Sequence, residues 1–533
     1  MQIKSAKTTL IAAIEALEGR QLLSTYLVTT TADTGAGSLR QAIMDANNHK
    51  GADTIHFAIG SGSKTIKPST GLPSLGDGTT LDATSQPGYA GKPLIVIDGA
   101  NAGSADGLKI TGSGVVVRGL VIDHFGGSGI LILGKGGNRI AGNYIGTDSS
   151  GSIDAGNHAH GIIIQSPSNT IGGTKASDRN VISGNDMAGV FVYTSAAHNN
   201  VILGNFIGTA ASGLVKLGNS VTGVQINGGA NNWIGAGAKG ARNVISGNGT
   251  DGVLIVNAGS TLNVVQQNFI GTDATGEKAL GNGRYGIEIS QPNNVVGGTG
   301  RAGNLISGNG AAGVVLFLSS AYGNRVQGNS IGVDFSGTKD LGNKGRGVEF
   351  TNGAHDSRVG GDTAAERNVI SGNDNGGVGF YSSSSMNVLT GNYIGTNSAG
   401  SGAIANTGAG VTVTDGAGTN FIGERHAGNL ISGNSKEGVC LTSGTKGTVV
   451  WGNYIGTDAT GKHKIANGAD GIFVASSGNQ IGGKKKGTGN LIAGNGGNAV
   501  SFVGSHGNLV SRNIVGVNVD GAALPNAKKN VIS

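Results

Sequence analysis

Through most of the chain, apolar residues alternate with other residues in bursts of four or five, and each burst is bounded by glycine or asparagine. A burst opens at Gly129, Gly161, Gly189, Gly223, Gly252, Gly286, Gly313, Gly347, Gly377, Gly410, Gly438 and Gly471, with Ala499 in the glycine place of the last copy. Alternation with period 2 is the mark of a β-strand with one buried face. The second and fourth positions are apolar, as in Val190 and Val192, Ile287 and Ile289, Val348 and Phe350, and Val378 and Phe380, so these point inward. The third and fifth positions face out, and along the chain they mix Phe191, Tyr193, Phe317, Tyr381 and Phe473 with Gln225, Glu288, Glu349, Thr412 and Cys440.

The bursts belong to a repeat. Segments like "GNYIGTD" carry their asparagine at 143, 205, 268, 329, 392, 453 and 513, at spacings of 60 to 63. Segments like "NVISGN" begin at Asn180, Asn243, Asn304, Asn368, Asn429 and Asn490, at spacings of 61 to 64. One unit is therefore about 62 residues, with two related halves of unequal length. Removing the insertions leaves a minimal coil of about 20 residues, holding one such strand, an "N-x-I/V" strand and a G-N turn. Short strands on so small a period, with glycine and asparagine at the corners, predict an all-β parallel β-helix of about 14–16 coils. Helical solenoids lack this alternation, and a propeller blade needs about four antiparallel strands. The thirteen bursts would span roughly 58 Å at one strand spacing per coil.

Composition agrees. Glycine accounts for 103 of 533 residues, proline for only 7, and charged residues for 13%. Without a three-residue glycine period this is not collagen, and a chain 37% hydrophobic with so little charge is not disordered. The net charge of +6 is mild for this length, and the densest basic run, Lys484 to Lys486, reads as a solvated turn, so no nucleic-acid partner is expected. The single cysteine, Cys440, excludes an internal disulfide framework. No run of 18 apolar residues exists, and no membrane-spanning helix is expected. The segment 38–47, "SLRQAIMDAN", sets Leu39, Ile43 and Ala46 on one helical face behind Ser38 as N-cap. It predicts a short helix in a cap covering the open first coil. At the other end, Lys528 and Lys529 would guard the edge, or a partner would cover it.

These motifs carry three resemblances. The repeated "GNYIGTDATG…NVISGN" resembles bacterial right-handed parallel β-helix proteins. "TTTADTGAGSLRQAIMDANN" (29–48) is similar to the CSLREAI signature that precedes such helices, with Gly37 in the cysteine place and Gln41 in the glutamate place. "ALEGRQLLS" (16–24) resembles the LEPR-XLL type of N-terminal segment, with Gly19 for proline, and implies export to the cell surface or beyond. The chain divides accordingly into a targeting-like segment (1–24), a cap (25–60) and the β-helix (61–533).

Candidate chemistry is sparse. Enzymes on this fold act on polysaccharides. Its lyases need calcium held by clustered carboxylates, and its hydrolases need paired carboxylates as general acid and base. The chain has 31 acidic residues and no Asp-Asp pair, and the N-T-D, G-H-G and D-P-H patterns of such enzymes are missing. The best local group is Asp123 and His124 in "GLVIDHF", with Asp123 expected to face outward, joined by His158 and His160 in "GNHAHG". Such histidines can hold a metal or move protons. No metal or other cofactor is expected, calcium entering only if the protein is a lyase. The "GTD" column, Asp148, Ala210, Asp273, Asp334, Asn397, Asp458 and Asn518, suits a turn role, because neighbouring members would sit about 10 Å apart and could not share an ion.

Phe191, Tyr193, Phe317, Tyr381 and Phe473 are the candidate ligand-binding residues, since aromatics on a polar face can stack on sugar rings. A second aromatic row, Tyr144, Phe206, Phe269, Tyr393 and Tyr454, is interrupted by Ser330 and is expected to pack under inserted loops. The corner asparagines from Asn143 to Asn513 are expected to form a hydrogen-bonded ladder. The expected function is that of a non-catalytic exported or cell-surface rod, structural or adhesive, contacting polysaccharide or cell-envelope components along one face. The alternatives are a lyase or epimerase acting on uronic-acid polymers and a passive spacer. A site is expected where the repeat is broken.

Overall fold

The computed structural model describes residues 24–442 and 444–528. The targeting-like segment apart from Ser24, and Lys529 with the end of the chain, lie outside the described residues. The chain winds as a right-handed parallel β-helix with three sheets of 17, 16 and 14 strands. Each turn visits the three sheets in the same order, as in Val116–Arg118, Leu120–Asp123 and Ile130–Ile132, before the next coil begins with Arg139–Ala141. Every strand pairs in parallel with its counterpart one coil on, so like residues stack.

Stacking explains why the sequence repeats. On the inner side of the second sheet, Ile122, Ile145, Ile182, Ile207, Ile245 and Ile270 continue in one column to Ile492, all fully buried. In the third sheet the inward positions are those expected, and Phe350 stacks on Phe380 at 4.9 Å between ring centres. The glycine that opens each burst has a steric reason. A Cβ on Gly252 would lie 2.6 Å from Ile270 Cγ2 and 2.7 Å from the carbonyl oxygen of Gly286, so the corner closes only where no side chain exists.

Buried asparagines hold the corners. Between the first and second sheets, Asn143 Nδ2 donates to Asn180 Oδ1 at 3.1 Å, Asn180 to Asn205 at 2.8 Å, and so on, coil by coil, to Asn513. A second ladder of the same kind runs between the second and third sheets from Asn157 to Asn526. A third, from Asn138, joins the third sheet to the first and is interrupted where Ser357 and Thr448 take the asparagine place; among the described residues the buried Asn324 Nδ2 has no partner. The amides satisfy backbone groups that sharp corners would otherwise leave orphaned.

Residues 25–60 contain the predicted helix, Leu39–Asn48, with Ser38 Oγ accepting from the Gln41 N–H and Leu39, Ala42, Ile43 and Ala46 buried. They also contain most of two parallel strands, Ser24–Val28 and Asp53–Phe57, which extend the first sheet, so the helix is an excursion between paired strands. Among the described residues, no helix is long and apolar enough to cross a membrane.

Candidate functional site

The group forecast around Asp123 divides into separate environments. Asp123 ends the strand Leu120–Asp123 on the same side as Val121, which is the outward side. It is nevertheless only 4% exposed, because the neighbouring loop lies beside it and its Ala155 carbonyl accepts from the His124 N–H. Asp98 ends the preceding coil's strand and stands in register with Asp123. His124, in the left-handed region at φ 55°, places Nδ1 3.4 Å from Asp123 Oδ1 and 3.7 Å from Asp98 Oδ1. Burial drives the Asp123 carboxyl up to about 7, with His124 opposing and Asp98 reinforcing the shift.

His158 and His160 turn elsewhere. His158 Nδ1 pairs with Asp186 Oδ2 at 2.8 Å on the surface. His160 is buried, stacks on Phe191 at 4.5 Å, and accepts the Ala188 N–H at Nδ1. Burial lowers its pKa from 6.5 to about 4. The unfolded chain therefore binds a proton between these values that the fold refuses, and folding stability falls as pH drops from about 6.5 to about 4. Thermal melts across that range should show the wild type losing stability relative to a His160→Gln variant, and parallel curves would refute the assignment.

The outward aromatics of the third sheet do not form one surface. Phe191 is enclosed between His160 and Tyr193, whose ring lies 5.1 Å away, and Tyr193 is 41% exposed. Tyr381 lies under the Arg346 guanidinium at 5.2 Å. Phe317 and Phe473 are half-buried. Cys440 stands beside Phe473, and burial pushes its thiol up to about 11, which leaves it unreactive. The "GTD" column does close turns: Asp148 Oδ1 accepts from the N–H groups of Ser152 and Ile153, and Asp458 Oδ1 from those of Lys462 and His463. Against the cost of burial, bonds from His463, Thr460 and the backbone hold the Asp458 carboxyl at about 2.

A more developed site lies on the outer face of the second sheet, along the other aromatic row. The rings pack under inserted loops as expected; a Cβ on Gly213 would lie 2.8 Å from the Phe206 ring, and one on Gly400 the same distance from Tyr393. On these rings rest arginines from the position before the corner asparagine. Arg179 covers Phe206 at 4.1 Å, Arg242 covers Phe269 at 3.9 Å and approaches Phe335 at 5.0 Å, and Arg367 covers Tyr393 at 4.1 Å. Arg179 and Arg367 each donate Nε to a glycine carbonyl, of Gly204 and Gly391. Arg242 has Gln267 in the corresponding place, and among the described residues its buried Nε has no hydrogen-bond partner.

Beside Arg242 the wall opens into a cavity of about 780 Å³, where Gly303 and Ser330 replace the arginine and the aromatic ring of the repeat. Arg179, Lys239, Arg242 and Arg301 line it and no carboxylate does. A second cavity of about 430 Å³ follows further along the same face, around Arg367, Tyr393, His426 and Tyr454, where Gly428 and Gly489 stand in the arginine place. From Tyr144 to Tyr454 is ten coils, roughly 48 Å. Fixed guanidiniums with unspent donors, on a long face without carboxylates around its main cavity, suit carboxylate or sulfate groups.

No family model matches the chain, and no curated protein matches it. Among solved structures, the periplasmic alginate epimerase AlgG is 11% identical over 86% of this chain and 77% of that one, with a TM-score of 0.30. The Agl-KA catalytic domain is 14% identical over 96% and 68%, with a TM-score of 0.26. The Streptococcus pneumoniae surface protein and adhesin PfbA is 12% identical over 95% and 98%, with a TM-score of 0.24. At these values the likeness concerns the β-helix fold alone.

Proposed function

We propose that this protein is a non-catalytic, exported or cell-surface β-helix that holds an acidic polysaccharide along the outer face of its second sheet. The observation that carries this reading is the cavity lined by four cations and no carboxylate, with the Arg242 Nε buried and unpartnered. Arg179 and Arg242 recur two coils apart, roughly 10 Å, a spacing suited to a linear polymer with regularly placed charges. Phe206 is 6% and Phe269 2% exposed, so these two rings offer no open face for stacking, while Phe335 at the cavity is 58% exposed. Recognition then rests on guanidinium forks meeting acidic groups.

The test is a binding panel with the purified chain against a uronic-acid polymer, a neutral glucan and single-stranded DNA, at low and high salt. Saturable binding to the uronate polymer alone, weakening as salt screens the charges, is the expected result. Equal binding to the neutral glucan, tighter binding to DNA, or no binding at all would overturn it. A calcium-dependent rise in ultraviolet absorbance, from unsaturated ends released from the polymer, would replace the binding protein with a lyase.

A further inference from the structure

On the same outer side of the second sheet, in the coils before the first of these arginines, Asp98, Asp123 and His124 bring two carboxylate oxygens and one imidazole nitrogen within 4.8 Å of one another. We propose that these three residues form a binding site for a divalent transition-metal cation of the Zn²⁺ or Mn²⁺ class. The Asp123 carboxylate is almost completely buried, and among the described residues its Oδ1 finds no hydrogen-bond donor although it faces the cluster. A buried acceptor without a donor is uncommon and calls for a partner of another kind. His124 Nδ1 stands at ion-pair distance from both aspartates, 3.4 Å and 3.7 Å, without a well-directed hydrogen bond to either. Those separations do suit ligands of one ion: donors about 2.1 Å from a tetrahedral metal lie roughly 3.4 Å apart.

The surrounding groups favour the same reading. Lys67 Nζ binds Asp98 Oδ2 at 3.0 Å and the Ala100 N–H binds Oδ1 at 3.0 Å, which fixes the carboxylate with a lone pair of Oδ1 still free. The left-handed turn at His124 brings its ring back over both strand ends, while its side chain stays 53% exposed, giving an ion a route in and room for water to complete the coordination. Asp148 adds negative charge nearby. An imidazole in the set selects for zinc, manganese or cobalt over calcium and magnesium, which prefer all-oxygen sites. Register alone builds the cluster: Asp98 and Asp123 are stacked neighbours, and at the same position on the next coil stands Gly146.

The experiment is equilibrium dialysis of the chelator-stripped full chain against Zn²⁺ and Mn²⁺, read by elemental analysis, with Co²⁺ absorption as a report of nitrogen and oxygen ligands. One equivalent of Zn²⁺ or Mn²⁺ should bind, with affinity falling at least tenfold in His124→Gln, whose exposed ring does not support the core. Asp98→Asn should act alike. His158→Gln, which removes the surface pair with Asp186, should change nothing. No saturable binding, or a site that survives His124→Gln, overturns the assignment.

Discussion

Replacing Arg242 with alanine should weaken binding of a uronic-acid polymer by about 10- to 100-fold. The estimate rests on where the guanidinium sits. It is held over Phe269, half-buried, and burial lowers its pKa. A charge-assisted hydrogen bond in such a place is worth roughly 1.5–3 kcal/mol, which is the stated range in Kd. Arg242→Lys keeps the charge but loses the planar fork and its seat on the ring, so it should fall between wild type and alanine. Lys485→Ala, in the solvated basic turn, should leave affinity unchanged. Isothermal titration at two salt concentrations would check all three, and an unaltered affinity in Arg242→Ala would remove the arginine face from the account.

The largest effect on stability should come from the amide ladders. Asn282 stands inside the second ladder, between Asn248 and Asn309, and is buried. Its Oδ1 accepts from Asn248 Nδ2 at 2.9 Å and from the Asn248 N–H at 3.1 Å, while its Nδ2 donates to the Ile245 carbonyl and to Asn309 Oδ1. Asn282→Ala cuts the column and strands the Asn248 N–H inside the corner. One orphaned donor and the lost amide bonds should cost about 3 kcal/mol. A solenoid need not unfold in one step, so the measurement is amide hydrogen exchange: protection should collapse in the coils on either side of Asn282 and persist elsewhere. The natural serine at 357 shows the gentler case, and Asn282→Ser should lose less. Unchanged exchange in Asn282→Ala would mean that the ladders are decorative.

The strands, the inward positions and the corner asparagines were legible because stacking makes each coil a copy of the last. Ser330 was legible as a gap in an aromatic row, and the cavity does open there. The arginines were readable in principle: the residue before the corner asparagine is Arg at 179, 242 and 367 and Gly at 303, 428 and 489. They stand at corners, where the alternation that marks strand faces carries no signal. The alternation of sides put Asp123 outward but could not show that a loop buries it. Its partner Asp98 was hidden for a different reason, since the two meet only through the register of coils that precede the regular repeat. Nor could the rule show that Phe191 is flanked by His160 and Tyr193, or that Arg346 lies over Tyr381.

The ladders have one more consequence, an electrical one. In both unbroken columns every side-chain amide points the same way, its nitrogen toward the coil that follows. Strand dipoles lie across the axis and largely cancel, but these amide dipoles lie along it and add, as peptide dipoles add in an α-helix. The rod is therefore a polarised body, more positive toward its later coils, and would orient end-on in an external field.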